Sequence, residues 1–176
     1  MPMWSGHPRR PAAACDDDAM RIPDLGTRGE GWVVLQFALI GLIALAGALP
    51  SGLTGTAQTV FAVLGAVLIV AGGVMAVLAI QALGASFTPN PRPLDTGELV
   101  ESGIYATVRH PMYGGVTLGA LGWGCLNGSL AAIILSGLLL VVFALKSMRE
   151  EAWLTERYPA YADYAGRTKR FIPGLI

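Results

Sequence analysis

Charge is what this sequence has least of. Only 14% of its 176 residues are Asp, Glu, Lys or Arg and 53% are apolar, whereas soluble domains average about 25% charged. That excludes an ordinary soluble domain and points to a chain dissolved in lipid. Twelve basic and twelve acidic residues cancel to a formal net charge of zero, so no global field favours nucleic acid or a basic partner. Cysteine is scarce too. Cys15 falls in a polar stretch and Cys125 in an apolar one, which excludes a disulfide framework and leaves no support for a metal site. No glycine-rich loop follows a strand-like segment, so no Rossmann unit is expected. Residues 1–30 have no apolar run and are rich in Pro, Arg, Ala and Asp; they read as a disordered cytoplasmic tail. Ala12–Cys15 lacks the apolar h-region of a lipoprotein leader, so no cleaved signal peptide is expected. Met20 is an alternative start.

What is present is apolar length. One stretch runs from Trp32 to Leu49 and a second from Ala57 to Leu83, both without charge and both able to cross a hydrocarbon core that needs about 20 helical residues. Pro50–Gly52 forms a short polar turn between them. The third, Met112–Leu126, reaches only roughly 22 Å at about 1.5 Å per residue. Asn127-Gly128 then makes a tight turn into a fourth stretch from Ser129 to about Met148. The last two read as a helical hairpin with one short arm. Glycines within the stretches, with Gly115 and Gly119 as one example, suit close helix packing. The expected fold is all-α and integral to the membrane, with about four transmembrane helices, a C-terminal helical hairpin and a cytoplasmic extension. It divides into the tail 1–30, the first two spans 31–83 and a core 84–176.

With four crossings, both termini and the 84–111 segment share one face, and the other face shows only two short turns. Arg9, Arg10, Arg21, Arg28, Arg92, Arg109, Lys146, Arg149, Arg157, Arg167, Lys169 and Arg170 all fall on or beside the first face, as do the acids. The positive-inside rule makes that face cytoplasmic, which for a bacterial-looking chain means the cell inner membrane. Any chemistry must be built there.

Two polar segments on that face carry candidate chemistry. In the first, Leu99 to Gly115, Pro111 suits the first position of a helix. Arg109 and His110 then sit at the positive end of a helix dipole, an arrangement that asks for an anion. Either a carboxylate or phosphate ligand answers it, or Arg109 anchors to lipid phosphates while His110 caps the helix. The second segment, Lys146 to Pro173, continues the fourth helix out of the bilayer until Pro159 ends it. Glu150 and Glu151 point about 100° apart on a helix, so one is expected to bind a ligand and the other to pair with a neighbour. A merely solvated helix end is the alternative.

Taken in order, the motif is Gly103-x-Tyr105-x-x-x-Arg109-His110-Pro111-x-Tyr113, a hydrophobic hairpin, Glu150-Glu151-x-x-Leu154, Tyr161-x-x-Tyr164-x-x-Arg167, and a closing Ile172-Pro173. From about Phe87 to Pro173 this resembles the isoprenylcysteine carboxyl methyltransferases and their prokaryotic relatives. The resemblance implies S-adenosylmethionine as cofactor, held by the hairpin and the C-terminal segment. Matched by position, His110, Pro111, Tyr113 and Gly115 would bind the cofactor together with Glu150 and Glu151. Arg167 would sit catalytically beside the substrate carboxyl group. Tyr105, Arg109, Tyr161 and Tyr164 would line the pocket, although interfacial belt tyrosines are an equally good reading. The partners implied are the bilayer and a lipophilic or small-molecule methyl acceptor, with neither metal nor nucleic acid.

Three other readings compete. Phospholipid N-methyltransferases and thiol S-methyltransferases share the architecture. Sterol-reductase-like enzymes carry a similar His-Pro-x-Tyr segment with NADPH, but follow its tyrosine with Gly-Asp where this chain has Gly114-Gly115. A non-enzymatic four-helix membrane protein is the last, and its expected mark is a charged residue inside a span.

Overall fold

A computed structural model describes residues 25–26, 29–49, 52–84 and 99–174. The expectations placed on the tail, on Pro50 and Ser51, on Cys15 and on Arg92 lie outside the described residues. Among the described residues there are five α-helices: α1 (Glu30–Ala48), α2 (Gly55–Leu83), α3 (Pro111–Leu126), α4 (Leu130–Arg157) and α5 (Tyr161–Arg167). A 3-10 turn, Gly103–Ala106, precedes α3. No strand occurs among these residues, only an isolated parallel bridge between Val108 and Lys169.

The helix ends follow from local chemistry. Pro111 opens α3, where its missing N–H would have had no helical partner. At the far end Gly128 takes a φ of 63°, a left-handed turn that a glycine makes without strain. Ser129 then caps α4, its Oγ accepting from the Ala132 amide at 3.3 Å. Pro159 stops α4 by holding Tyr158 in an extended conformation, φ −118° and ψ 107°, as a residue before proline prefers.

Three helices, α1, α2 and α4, are long and apolar enough to cross a membrane. With 16 residues, α3 is the short arm expected from its sequence. Contacts order the four as antiparallel neighbours. Near the start of α1, Gln36 meets Lys146 of α4, and near its end the Ala46 carbonyl accepts from Ser129 Oγ. The starts of α1 and α3 therefore share one end with the finishes of α2 and α4. Every Lys, Arg, Asp and Glu among the described residues lies at that end.

Apolar side chains are not confined to the interior. On α1 the buried stripe is Trp32, Gln36, Leu39, Ile43 and Gly47, yet Val34, Phe37, Leu42 and Leu45 on the other faces are exposed. A helix apolar on all sides suits a lipid solvent. Trp32, Leu39 and Ile43 pack on Ala132, Leu139, Val142 and Phe143 of α4.

The α2–α3 contact is closer and is made by glycine. Gly65, Gly72 and Ala79 are the buried residues of α2, spaced at sevens, and Gly122 and Gly115 oppose the first two. A Cβ on Gly115 would lie 2.7 Å from the Gly72 carbonyl oxygen, and one on Gly122 would lie 2.7 Å from that of Gly65. The pairing therefore admits no side chain. Gly119, expected with Gly115 to make the close approach, has open space where its own Cβ would be, but its backbone nitrogen would lie 2.8 Å from a Cβ on Gly72, so it borders the seam beside Gly115.

Candidate functional site

The polar side chains at the charged end converge because three backbone segments are tied there. The segment before α3 is clamped to the C-terminal strand-like residues: Arg109 N–H donates to the Lys169 carbonyl and His110 N–H to that of Arg170, each at 2.8 Å. Gly114 allows the close passage, since any Cβ there would strike the Phe171 carbonyl. α4 supplies Glu150 and Glu151 from the third side.

Glu151 is the centre of the resulting cluster. Its Oε1 accepts from Arg109 Nε at 3.1 Å and from Arg170 Nε at 3.2 Å, and lies 3.0 Å from His110 Nε2. Its Oε2 accepts from the other arm of Arg170 at 2.8 Å. The anion expected at the start of α3 is thus present within the chain, as the carboxylate of Glu151. Arg109 continues inward, its terminal nitrogen donating to the carbonyls of Ala165 and Thr168. It is an anchor for the C-terminal segment and does not point to lipid phosphates. His110 makes no side-chain cap on α3.

Glu150 turns to the other side of the same imidazole. Its Oε2 accepts from the Tyr113 hydroxyl at 2.9 Å and lies 3.7 Å from His110 Nδ1. His110 therefore has a carboxylate beside each ring nitrogen. Tyr113 is held flat between His110, 5.4 Å between centroids and 4° between planes, and Phe143, 4.6 Å and 10°. Both glutamates face the His110 segment, so the geometric choice between them is one of partners: Glu151 is saturated by three cationic or ring donors, whereas both contacts of Glu150 use a single oxygen.

The tyrosines form one wall. Tyr105, Tyr161 and Tyr164 are all buried, and Tyr164 donates its hydroxyl to the Tyr105 carbonyl at 2.8 Å. Burial raises all three phenols. Beyond burial, Glu150 raises Tyr105 and Glu151 raises Tyr161; Tyr164 is pushed up to about 12, with Arg109 opposing. They are neutral at physiological pH. The Tyr161 hydroxyl is buried and has no hydrogen-bond partner among the described residues.

Arg167, Pro111 and Gly115 have other surroundings. Arg167 lies outside the cluster. It ends α5 on the solvent side, paired with Glu101 and 63% exposed, while its guanidinium lies over the Tyr164 ring at 5.7 Å. Arg170 is the arginine that joins Arg109 on Glu151. Gly115 faces α2 and serves the glycine seam. Pro111 is buried at the helix start. The motif reading also passed over Lys146, Gln36, Phe143 and Arg170. Lys146 had a usable signal, standing one helical turn before Glu150 and hence on the same face.

Fold and site together define a helical membrane protein with one polar cluster at the mouth of its apolar helices. A profile of the phospholipid methyltransferase family matches residues 60–161, which takes in most of α2, all of α3 and α4, the His110 segment and the glutamate pair. The chain belongs to that family of integral membrane methyltransferases. It is also similar to the cobalt-zinc-cadmium resistance protein CzcN of Cupriavidus metallidurans, 38% identical over 78 residues, which are 44% of this chain and 36% of that protein. The nickel-cobalt-cadmium resistance protein NccN of Alcaligenes xylosoxydans xylosoxydans is 37% identical over 82 residues, 44% of this chain and 37% of its own length. The similarity spans about a third of the length of these relatives.

Proposed function

We propose that the chain is an S-adenosylmethionine-dependent methyltransferase that acts at the cytoplasmic face of the cell inner membrane on a lipophilic acceptor, with a carboxylate as the first candidate. The observation that carries the reading is the convergence of the His110–Tyr113 segment and both glutamates in one cluster, within the span that matches the family. In this reading α1 to α4 cross the membrane, α3 in a locally thinned layer. The 84–176 segment is the working core, 31–83 its lipid-facing support and 1–30 a tail.

The residues present fit the cofactor. The contacts of Glu150 to Tyr113 and His110 both use Oε2, and a carboxylate there suits ribose hydroxyls or an ammonium group. The Tyr161 hydroxyl is a buried polar atom without a partner, a state that normally costs about 1–3 kcal/mol and that a ligand oxygen would relieve. Tyr113 and His110 offer stacked ring edges for an aromatic base. When bound, S-adenosylmethionine would supply an electrophilic methyl carbon. The protein's part is to hold the acceptor in line and keep water out. A carboxylate acceptor is already ionised near neutral pH and needs no base. Arg167, over Tyr164 at the exposed rim, would orient it; Arg109 and Arg170 are committed to Glu151. An amine or thiol acceptor would need a base, and Glu150 and His110 are the groups in position. The relatives are named for metal resistance; a part for this chain in such a process would be exerted through methylation of a membrane component.

Calorimetry of the detergent-purified protein tests the cofactor: S-adenosylhomocysteine should bind in the micromolar range, and binding of NADPH in its place would overturn the proposal. Transfer of a labelled methyl group to extracted membrane lipids, compared with small thiols, then identifies the acceptor class.

A further inference from the structure

Lys146 is the one lysine completely buried among the described residues, and it stands where the apolar run of α4 meets the polar cluster. A cation at such a depth is unfavourable unless it is paired. Its Nζ donates to Gln36 Oε1 on α1 at 2.6 Å and lies 5.1 Å from the centre of the Tyr113 ring. Glu150 is one turn further along the same helix and interacts electrostatically with it. Gln36 is itself buried and is the one polar side chain in the apolar run of α1 from Trp32 to Leu49.

These contacts form a continuous path. It runs from Gln36 through the Lys146 ammonium to the face of Tyr113, from the Tyr113 hydroxyl to Glu150, and from Glu150 to His110. Phe143, one turn before Lys146 and 1% exposed, stacks on the same Tyr113 ring. A cation above the ring fixes its plane. α1 precedes residues 60–161, the span that matches the family, so the path joins the shared core to a helix outside that span.

We propose that Lys146, seated by Gln36, is a positioning residue that sets the orientation of Tyr113 and Glu150 for the reacting ligand and couples the placement of α1 to the site. The inference rests on the methyltransferase reading. Lys146 touches no ligand in it; the effect passes through Tyr113 and Glu150.

The test is S-adenosylhomocysteine binding by calorimetry on the full chain, beside thermal melting. A lysine with only a structural role would be replaced by methionine with little loss of stability or a gain, and binding would not change. Positioning predicts that Lys146→Met weakens binding about tenfold with near wild-type melting, and that Gln36→Leu, which also lowers melting because the buried ammonium loses a partner, weakens it about threefold. Lys146→Arg, which keeps the charge, should stay within about threefold of wild type. In a Glu150→Gln background Lys146→Met should add less than about twofold, because the path is already cut. Wild-type affinity in both Lys146→Met and Gln36→Leu, or full additivity with Glu150→Gln, would overturn the positioning role. Wild-type protein that binds no S-adenosylhomocysteine would instead remove the methyltransferase reading, and the proposal with it.

Discussion

Glu151→Gln is the substitution whose effect the geometry defines most sharply. The side chain keeps its shape and one acceptor, but loses the charge that meets Arg109 at 3.1 Å and Arg170 at 2.8 Å. Removing one partner of a buried ion pair costs about 3–5 kcal/mol. Arg109 is only 11% exposed and deserves most of that figure, whereas Arg170 is 34% exposed and water will compensate part of its loss. A net destabilisation of about 2–3 kcal/mol follows. For a chain of this size that corresponds to a fall of roughly 5–10 °C in melting temperature. Glu150→Gln turns a charge-assisted tyrosine hydrogen bond into a neutral one and weakens a longer contact to His110, so about 1 kcal/mol or less is expected. Melting of both variants in detergent, followed by intrinsic fluorescence, gives the comparison. Ligand affinity should run in the opposite order, with Glu150→Gln the more damaging to S-adenosylhomocysteine binding. A Glu151→Gln protein that melts within 2 °C of wild type, or a Glu150→Gln protein that melts lower, would refute the assignment of Glu151 as the clamp and Glu150 as the ligand-facing carboxylate.

Tyr161→Phe removes a hydroxyl that is buried without a partner, so melting should hold or rise by about 1 kcal/mol equivalent, while S-adenosylhomocysteine binding weakens; unchanged binding would show that this hydroxyl faces no ligand. Gly72→Val places three carbons against the α3 backbone and should lower the yield of folded protein by several kcal/mol equivalent, whereas Gly73→Val on the open side should be tolerated; equal yields would contradict the glycine seam. Arg167→Ala breaks only an exposed pair and should change stability by less than about 1 kcal/mol, while turnover on the identified acceptor falls; unchanged turnover would leave Arg167 as a surface charge.

The helices were legible in the sequence because lipid demands long apolar runs and the runs are bounded by Pro111, Asn127-Gly128 and Pro159. The glycine seam was half legible. Glycines at Gly65, Gly72, Gly115 and Gly122 could be seen, but pairing them across the seam requires knowing that α2 and α3 run antiparallel with a seven-residue contact repeat. Lys146 was hidden for a different reason. Counting it with the charged end is correct, yet its burial depends on the polar Gln36, 110 positions away in sequence.

The role of Arg170 was illegible for a physical reason that also bears on how the site is held. Nineteen residues separate it from Glu151, and the chain between them breaks at Pro159, forms α5 and turns back. Spacing along a helix says nothing across such a break. What sets the register is the backbone clamp of Lys169 and Arg170 on Arg109 and His110, and that clamp fits only because Gly114 lacks a side chain. Since Arg109 and Arg170 enter Glu151 from the two clamped segments, the carboxylate locks the same register that the backbone bonds create. The His110 segment, the glutamates and the C-terminal residues are therefore one mechanical unit. A change at Gly114, though remote from any proposed ligand contact, should disturb the Glu151 cluster as directly as a change in Glu151 itself.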